Sequence, residues 1–275
     1  KLCYYGEVVR KVGTILRPER QFQQVGAEII GSESYKADVE IINLAYETLK
    51  KIGVKNIVIE ITAPFFLDSL LKKVADQDLK RQLKKLIQLK DINSILKILK
   101  KHQLFDSFKT LHLCSGSIKN KKNYISKLNK IIGYENEVKR LIKIANLIKT
   151  SKNDLLNIDF FDIQKNKNYY KGIKFTFFAK DVRGEIAGGG RYNLKYGNNS
   201  ETAIGYTCYM DTLLRSSSLI NKNKRILIPF NTSDKIKKKL INKGYSLFKS
   251  FEDNIDFKNE AKKFGIKYYL MKNLV

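Results

Sequence analysis

Three polar residues near the start of the chain have the types and the spacing of a small binding site. Arg10 ends an apolar, aromatic segment, and Gln24 and Glu28 lie four residues apart in the next such segment. If both segments are strands, this spacing puts Gln24 and Glu28 on one face. The carboxylate could hold an amine or an imidazole N–H, and the guanidinium could hold a carboxylate or phosphate. The pattern indicates a pocket for a small zwitterion, and the alternative is an ordinary cross-strand salt bridge.

A glycine triplet and a tyrosine pair are the other candidates for a ligand site. Gly188, Gly189 and Gly190 open the segment GGGRYN, where the missing side chains would let the backbone approach a ligand closely. The alternative is a tight turn between strands, and the spacing matches neither a P-loop nor a dinucleotide fingerprint. Tyr169 and Tyr170 would point to opposite faces of a strand. Either one of them lines a ligand pocket while the other packs in the core, or both pack in the core.

The remaining composition favours no other chemistry. Lys and Arg number 53 against 27 Asp and Glu, giving a net charge of +26. This charge fits a nucleic-acid surface or, because the lysines are scattered along the chain, a lysine-rich composition. His102 and His112 are predicted to be surface or packing residues. We expect no metal, no cofactor and no catalytic residue, and we expect reduced cytoplasmic thiols at the three widely spaced cysteines, Cys3, Cys114 and Cys208.

The elements that must position these residues follow from apolar periodicity. Residues 2–9 and 21–31 predict two antiparallel strands joined by a basic loop. Apolar spacing in 36–52 predicts an amphipathic helix that ends at Gly53. Residues 56–61 predict a buried strand, after which Pro64 opens another helix.

The rest of the first part is predicted as a helical insertion followed by strands. Residues 77–150 have a helical period, with the weakly patterned stretch 105–121 as a loop. Strand character returns at 155–162, a hairpin is predicted across Asp181–Gly184, and residues 203–217 pass into a helix.

Two domains are expected. The first covers residues 1–220 and is a core lacking its N-terminal part. Strands and helices alternate from residue 225 and predict a small α/β unit over 225–275. No apolar run approaches about 18 residues, so we expect no transmembrane helix.

Four segments, in their order and spacing, resemble the signature segments of the histidyl-tRNA synthetase family. LCYYGEVVRKV with RPERQFQQVGAEIIG resembles motif 2, and KNKNYYKG stands at the RGLDYY histidine-recognition motif. AGGGRYN resembles the AGGRYD signature, and AIGYTCYMDTLLR stands at class II motif 3. The resemblance covers roughly 1–75 and 135–217. It implies an α+β fold with a class II aminoacyl-tRNA synthetase-like antiparallel sheet flanked by helices.

The resemblance also implies a role for each candidate residue. Arg10 stands at the arginine that, in the synthetases, touches the α-phosphate and the histidine carboxylate. Gln24 and Glu28 stand at residues that bind the histidine amine and imidazole, and Tyr170 stands at a tyrosine lining the same pocket. The glycines 188–190 stand at the pocket floor.

Three departures from the family pattern bear on function. Thr212 replaces the motif 3 arginine, Lys165 the RGLDYY arginine and Val12 the motif 2 glutamate. Loss of one electrostatic donor of this kind slows a reaction by ~10²–10³-fold. The pattern resembles a paralogue family that keeps the fold without aminoacylation.

Members of that paralogue family are regulatory subunits that partner the catalytic subunit of ATP phosphoribosyltransferase. They are required for its activity and for histidine feedback in the first step of L-histidine biosynthesis. The resemblance implies a homodimer within a hetero-oligomer and L-histidine as a candidate ligand, and no tRNA or membrane is expected. A divergent histidyl-tRNA synthetase is the alternative.

Overall fold

The computed structural model describes residues 1–11, 19–118, 128, 135–162, 170–197, 199–218, 224–252 and 256–270. The chain divides into two compact units, Lys1–Ser218 and Leu219–Val275. Within the described residues, no helix combines the length and the apolar character needed to cross a bilayer.

A mixed sheet forms the centre of the first unit. Its eight described strands have the order β1-β2-β8-β7-β6-β3-β5-β4. Neighbouring strands run antiparallel except the parallel pair β3 and β5. The predicted pairing of the first two strands is confirmed, and so is the predicted class of fold. The strands are β1 Leu2–Val9, β2 Gln21–Ile30, β3 Ile57–Thr62, β4 Gly116–Ser117, β5 Leu155–Asp159, β6 Tyr170–Ala179, β7 Ala187–Tyr196 and β8 Asn199–Tyr209.

Local signals explain where the first long helix begins and ends. Ser34 caps it by accepting a hydrogen bond from the Lys36 N–H at 3.2 Å, which satisfies one of the open donors of the first turn. Gly53, with a φ of +83°, follows its last turn. The helices of this unit are α1 Tyr35–Lys51, α2 Pro64–Lys72, α3 Gln77–Gln88, α4 Ile92–Ile98, α5 Phe105–Cys114, α6 Glu135–Leu147 and α7 Met210–Ser216.

The prediction of a loop over 105–121 is wrong for residues 105–118, and residues 119–121 lie outside the described residues. Residues 105–114 form α5, because Phe108, Leu111 and Cys114 recur at helical spacing and are fully buried. The segment then joins the sheet, since β4 pairs with β5. The weak pattern arose because polar residues interrupt this narrow apolar stripe.

The glycine triplet lies within a strand and does not form a turn. β7 begins at Ala187 and runs through all three glycines to Tyr196, paired on both sides with β6 and β8. The chain reverses before it, where Asp181 and Gly184 have positive φ values of 63° and 97°. The predicted hairpin is confirmed, but its second strand extends ten residues from Ala187.

One face of the sheet is apolar and forms the core. Directly paired residues share a face and successive residues alternate between faces, so Phe175, Phe177, Ile59 and Ile61 lie together. All four are fully buried and belong to the main core with residues of α1 and α2.

A buried ion pair joins this face to the start of α1. The Asp38 carboxylate is inaccessible to solvent, and Arg191 of β7 is 7% exposed. The Arg191 Nε donates to Asp38 Oδ1 at 2.8 Å, and its Nη1 donates to the Ser32 carbonyl at 2.6 Å. Arg140 of α6 also pairs with Asp38. The contacts tie β7, α1 and α6 together.

The second unit is a small parallel α/β fold with its own core. Its three described strands, in the order β10-β9-β11, are all parallel, and the predicted alternation of strands and helices is observed. The elements are β9 Lys224–Ile228, α8 Asp234–Asn242, β10 Tyr245–Lys249, α9 Phe257–Lys263 and β11 Tyr268–Tyr269. The core residues are Leu227, Phe257, Ala261 and Ile266.

Candidate functional site

The second face of the sheet, over β1, β2, β8 and β7, carries polar side chains separated by glycines. Strand register, together with the alternation of side chains, sets these residues side by side. Because the glycines between the polar residues have no side chains, a ligand could lie directly against the backbone there. We define the polar sheet face by three rows and one further residue: Gln24 with Tyr209; Tyr4, Gly26, Thr207 and Gly188; Glu28, Gly205 and Gly190; and Tyr192.

Glu28 is the central acidic group of the polar sheet face. The Tyr192 hydroxyl donates to its Oε2 at 3.0 Å, and Tyr4 also bonds to its side chain. Burial raises the pKa of Glu28 above its usual 4.5, while the two tyrosine hydrogen bonds oppose that rise. The result is a half-buried carboxylate with fixed partners, suited to accept an N–H from a ligand.

Gly205 makes room for this carboxylate. A Cβ placed on Gly205 would lie 1.7 Å from Glu28 Oε2, so the acidic side chain rests directly on the backbone of β8. Any side chain at residue 205 would displace Glu28. The glycine therefore fixes the height of the acid above the sheet.

Arg10 lies at the end of the polar sheet face where β1 and β2 come together. Its guanidinium carbon is 4.9 Å from the centre of the Phe22 ring and 5.8 Å from that of Tyr209. The two rings meet edge to face, and stacking of this kind stabilises a cation while leaving N–H donors at its edge. Gln24, half-buried, is paired with Tyr209 in the same region.

The predicted site residues do not all lie on this surface. Gln24, Glu28, Gly188 and Gly190 share the polar sheet face, as their spacing requires. Gly189 faces the opposite way, where a Cβ would meet Gly205 O at 2.0 Å and the Phe175 ring at 2.7 Å. Its expected place on the pocket floor is therefore corrected, because neighbouring residues of a strand alternate.

The two tyrosines of KNYYKG are only partly covered by the structure. The Tyr170 backbone pairs with Tyr192 at the start of β6. Its side chain, all of Tyr169, and the departures at Val12 and Lys165 lie outside the described residues.

Sequence reasoning missed Tyr4, Thr207 and Tyr192. Tyr192 lies two positions after the predicted Gly190 in β7, and Tyr4 and Thr207 lie on β1 and β8. Strand register brings Tyr4 and Tyr192 to Glu28, and it brings Thr207 to Tyr4. The tyrosine of GGGRYN was the available signal, since it follows Gly190 by two residues.

Thr212, at the position of the motif 3 arginine, is buried in α7. It is 2% exposed, and its hydroxyl donates to the Asp211 carboxylate at 3.3 Å. Arg191, the arginine of GGGRYN, points to the core and is bound by Asp38. Neither position presents a guanidinium to the polar sheet face.

The cysteines offer no reactive thiol on this surface. Burial raises the pKa of the Cys208 thiol to about 12, so it stays protonated at neutral pH. Cys114 is buried and Cys3 is exposed, and all three are unbridged. Across the described part of the chain, no group of three His, Cys, Asp or Glu is arranged to hold a metal ion.

The fold defines a class II synthetase-like protein. The model of the histidyl-tRNA synthetase family matches residues 1–213. The chain belongs to the histidyl-tRNA synthetase family.

Within that family the chain groups with regulatory subunits of ATP phosphoribosyltransferase. It is 30% identical to the regulatory subunit of Rhodospirillum centenum over 96% of this chain and 68% of that protein. The subunit of Rhodospirillum rubrum is 29% identical over 78% of this chain, which spans only 56% of it.

Solved structures confirm the fold. A regulatory subunit/histidyl-tRNA synthetase from Bacillus halodurans superposes with a TM-score of 0.73 at 18% identity, covering 98% of this chain and 72% of that one. Histidyl-tRNA synthetase from Nostoc sp. PCC 7120 gives 0.72 at 16% identity, covering 98% and 70%. One chain of the ATP phosphoribosyl transferase complex from Thermotoga maritima gives 0.57 at 18% identity, covering 76% of this chain and 72% of that one.

Proposed function

We propose that this chain is a non-catalytic regulatory subunit of ATP phosphoribosyltransferase. In this role it is required for the activity of a partner catalytic chain and for histidine feedback on the first step of L-histidine biosynthesis. The observation that carries the proposal is the 30% identity to a named regulatory subunit over 96% of this chain. We further propose a cytoplasmic homodimer within the hetero-oligomer.

The polar sheet face is the proposed histidine site. Glu28 would accept an imidazole N–H, and Arg10 would hold the carboxylate through the N–H donors of its guanidinium. Gln24 would hold the amine, and Gly188 and Gly190 would form the floor. Tyr170 is proposed to line the same pocket, on the family resemblance alone.

Feedback requires that histidine bind two states of the assembly with different affinity. The alternative location is the interface with the catalytic chain. Calorimetric titration of histidine into the isolated protein separates the two: heat from this chain alone places the ligand in its own pocket.

Loss of catalysis is supported by Thr212. A buried threonine hydroxyl bonded to Asp211 cannot stabilise charge on a triphosphate, and one lost donor of this kind costs ~10²–10³-fold in rate. Histidine-dependent pyrophosphate exchange tests this directly. Turnover at the rate of an ordinary synthetase would restore the histidine–tRNA ligase alternative, in which tRNA becomes a partner.

The regulatory role is tested with the catalytic chain of ATP phosphoribosyltransferase from the same source. We expect the two chains to co-purify and phosphoribosyl transfer to depend on this chain, because regulatory subunits of this family act by assembly. Added histidine should then lower the rate. A catalytic chain that is equally active alone, and equally inhibited by histidine, would contradict the proposal.

The substitution Glu28→Gln should affect thermal stability and histidine binding differently. Because burial raises the pKa of Glu28 above 4.5, the acid contributes stability below that pH and loses it as the pH rises through the raised value. At neutral pH the neutral amide should therefore leave the melting temperature unchanged or higher. Histidine affinity should fall by about 10-fold or more, since a charge-assisted hydrogen bond is lost.

Thermal unfolding by circular dichroism and calorimetric titration measure the two effects. Glu47→Gln is the matched control, because Glu47 is a half-exposed surface acid paired with Lys149. A Glu28→Gln protein that is less stable than wild type at neutral pH and binds histidine normally would refute both expectations.

A further inference from the structure

A chain of hydrogen bonds converges on Glu28 from three strands. Tyr192 on β7 donates to Oε2 at 3.0 Å, and Tyr4 on β1 bonds to the same side chain. The Tyr4 hydroxyl oxygen lies 2.6 Å from Thr207 Oγ1 on β8. Two of these contacts, Tyr192 with Glu28 and Tyr4 with Thr207, link residues more than 160 positions apart in sequence.

The direction of each hydrogen bond follows from the chemistry of the groups. An ionised carboxylate only accepts, so Tyr4 must give its single O–H to Glu28. The Tyr4 oxygen is then an acceptor, and Thr207 must donate to it. The order is Thr207 to Tyr4 to Glu28, with Tyr192 donating from the other side.

The carboxylate is held in place from below as well as from the sides. Gly205 lies beneath it, with room for no side chain. The groups that face Glu28 from β1, β7 and β8 are Tyr4, Tyr192 and Thr207, and no lysine or arginine among the described residues pairs with it. Hydroxyl donors, and not an ion pair, therefore oppose the rise in the pKa of Glu28 that burial causes.

We propose that Tyr4, Thr207 and Tyr192 are positioning residues that hold Glu28 as a fixed acceptor, so that the site selects a ligand ring carrying an N–H. The inference rests on the proposed binding of histidine. A carboxylate offers about four acceptor positions, and the tyrosines take two. A ring of similar shape without an N–H leaves the remaining positions unpaired, and sites of this kind reject such analogues strongly.

The test compares L-histidine with an analogue in which a thiazole ring replaces the imidazole. Calorimetric titration of the wild-type full chain should favour histidine by about 100-fold or more. Tyr4→Phe and Tyr192→Phe should each weaken histidine binding by about 10-fold, with much less effect on the analogue. The preference between the two ligands should shrink accordingly.

The pH profile supplies a second readout. Removing either hydroxyl raises the pKa of Glu28 further, so histidine affinity should decline at a higher pH in the variants than in wild type. Titration of histidine itself is common to all proteins and cancels in this comparison. Thr207→Val should shift the profile in the same direction through Tyr4, and Thr207→Ser should restore it.

Tyr206→Phe is the matched control. Tyr206 precedes Thr207 on the same strand but faces the core, where its hydroxyl is 3.4 Å from Thr48. Variants of Tyr4 and Tyr192 that match Tyr206→Phe in affinity, preference and pH profile would overturn this inference alone. Wild-type protein that binds no histidine would overturn the proposed pocket together with it.

Discussion

Replacing Arg191 by methionine is expected to destabilise the first unit by about 3–5 kcal/mol, the cost of removing the buried partner of a buried charge. Arg191 is 7% exposed and Asp38 is fully buried. The guanidinium also donates to the Ser32 carbonyl at 2.6 Å and to Thr202 Oγ1 at 3.0 Å. Urea unfolding followed by circular dichroism measures the loss.

Two further variants identify the cause. Arg140→Met removes the second, one-third exposed partner of Asp38, and we expect a smaller loss because solvent screens that contact. The double variant Asp38→Leu with Arg191→Met removes both charges, and we expect it to be more stable than Arg191→Met alone. A double variant that is the least stable of the set would show that packing, and not the unpaired charge, dominates.

Gly189→Ala is expected to destabilise the first unit by about 3 kcal/mol, near the upper end of the usual cost of overpacking. A Cβ there would lie 2.0 Å from the Gly205 carbonyl oxygen and 2.8 Å from the Tyr206 Cα. Both neighbours are backbone atoms of β8, so β7 and β8 would have to move apart. Thermal and urea unfolding measure this effect.

The adjacent Gly188→Ala is its matched control. A Cβ at residue 188 would meet its nearest atoms, Phe175 O and the Tyr209 hydroxyl, at 3.6 and 3.7 Å, which are ordinary contacts. The folded protein should keep nearly its full stability, while the added methyl group intrudes on the polar sheet face and weakens histidine binding. Equal losses of stability in the two variants would contradict the assignment of the glycines to opposite faces.

Local periodicity was enough to predict the elements that carry Arg10, Gln24 and Glu28. Both strands contain alternating patterns, and the spacing of four placed Gln24 and Glu28 on one face. The helix beginning near Ser34 also followed from the sequence, because its cap, apolar stripe and terminal glycine agree. In each case the information lies within about 20 residues.

The partners of Glu28 could not be predicted in the same way. Tyr192 reaches it only because β2, β8 and β7 are neighbours in the sheet, and strand order is not written in local periodicity. Tyr4 lies on β1, whose pairing with β2 was predicted, but the register that sets Tyr4 opposite Gly26 was not. The glycine triplet was considered as one unit, although a strand sends Gly189 to one face and Gly188 and Gly190 to the other. Three consecutive glycines show no alternation of apolar and polar side chains, so the sequence does not reveal which of them lies on which face.

The buried ion pair between Arg191 and Asp38 also favours the native register of β7. A shift of β7 by a single residue would turn its side chains over. Arg191 would then emerge among the tyrosines, and Tyr192 would enter the hydrocarbon interior with its hydroxyl group. The ion pair between Arg191 and Asp38 forms in the native register of β7. A one-residue shift, which would invert the ligand surface, would leave the Asp38 carboxylate buried without Arg191 and would therefore be unfavourable.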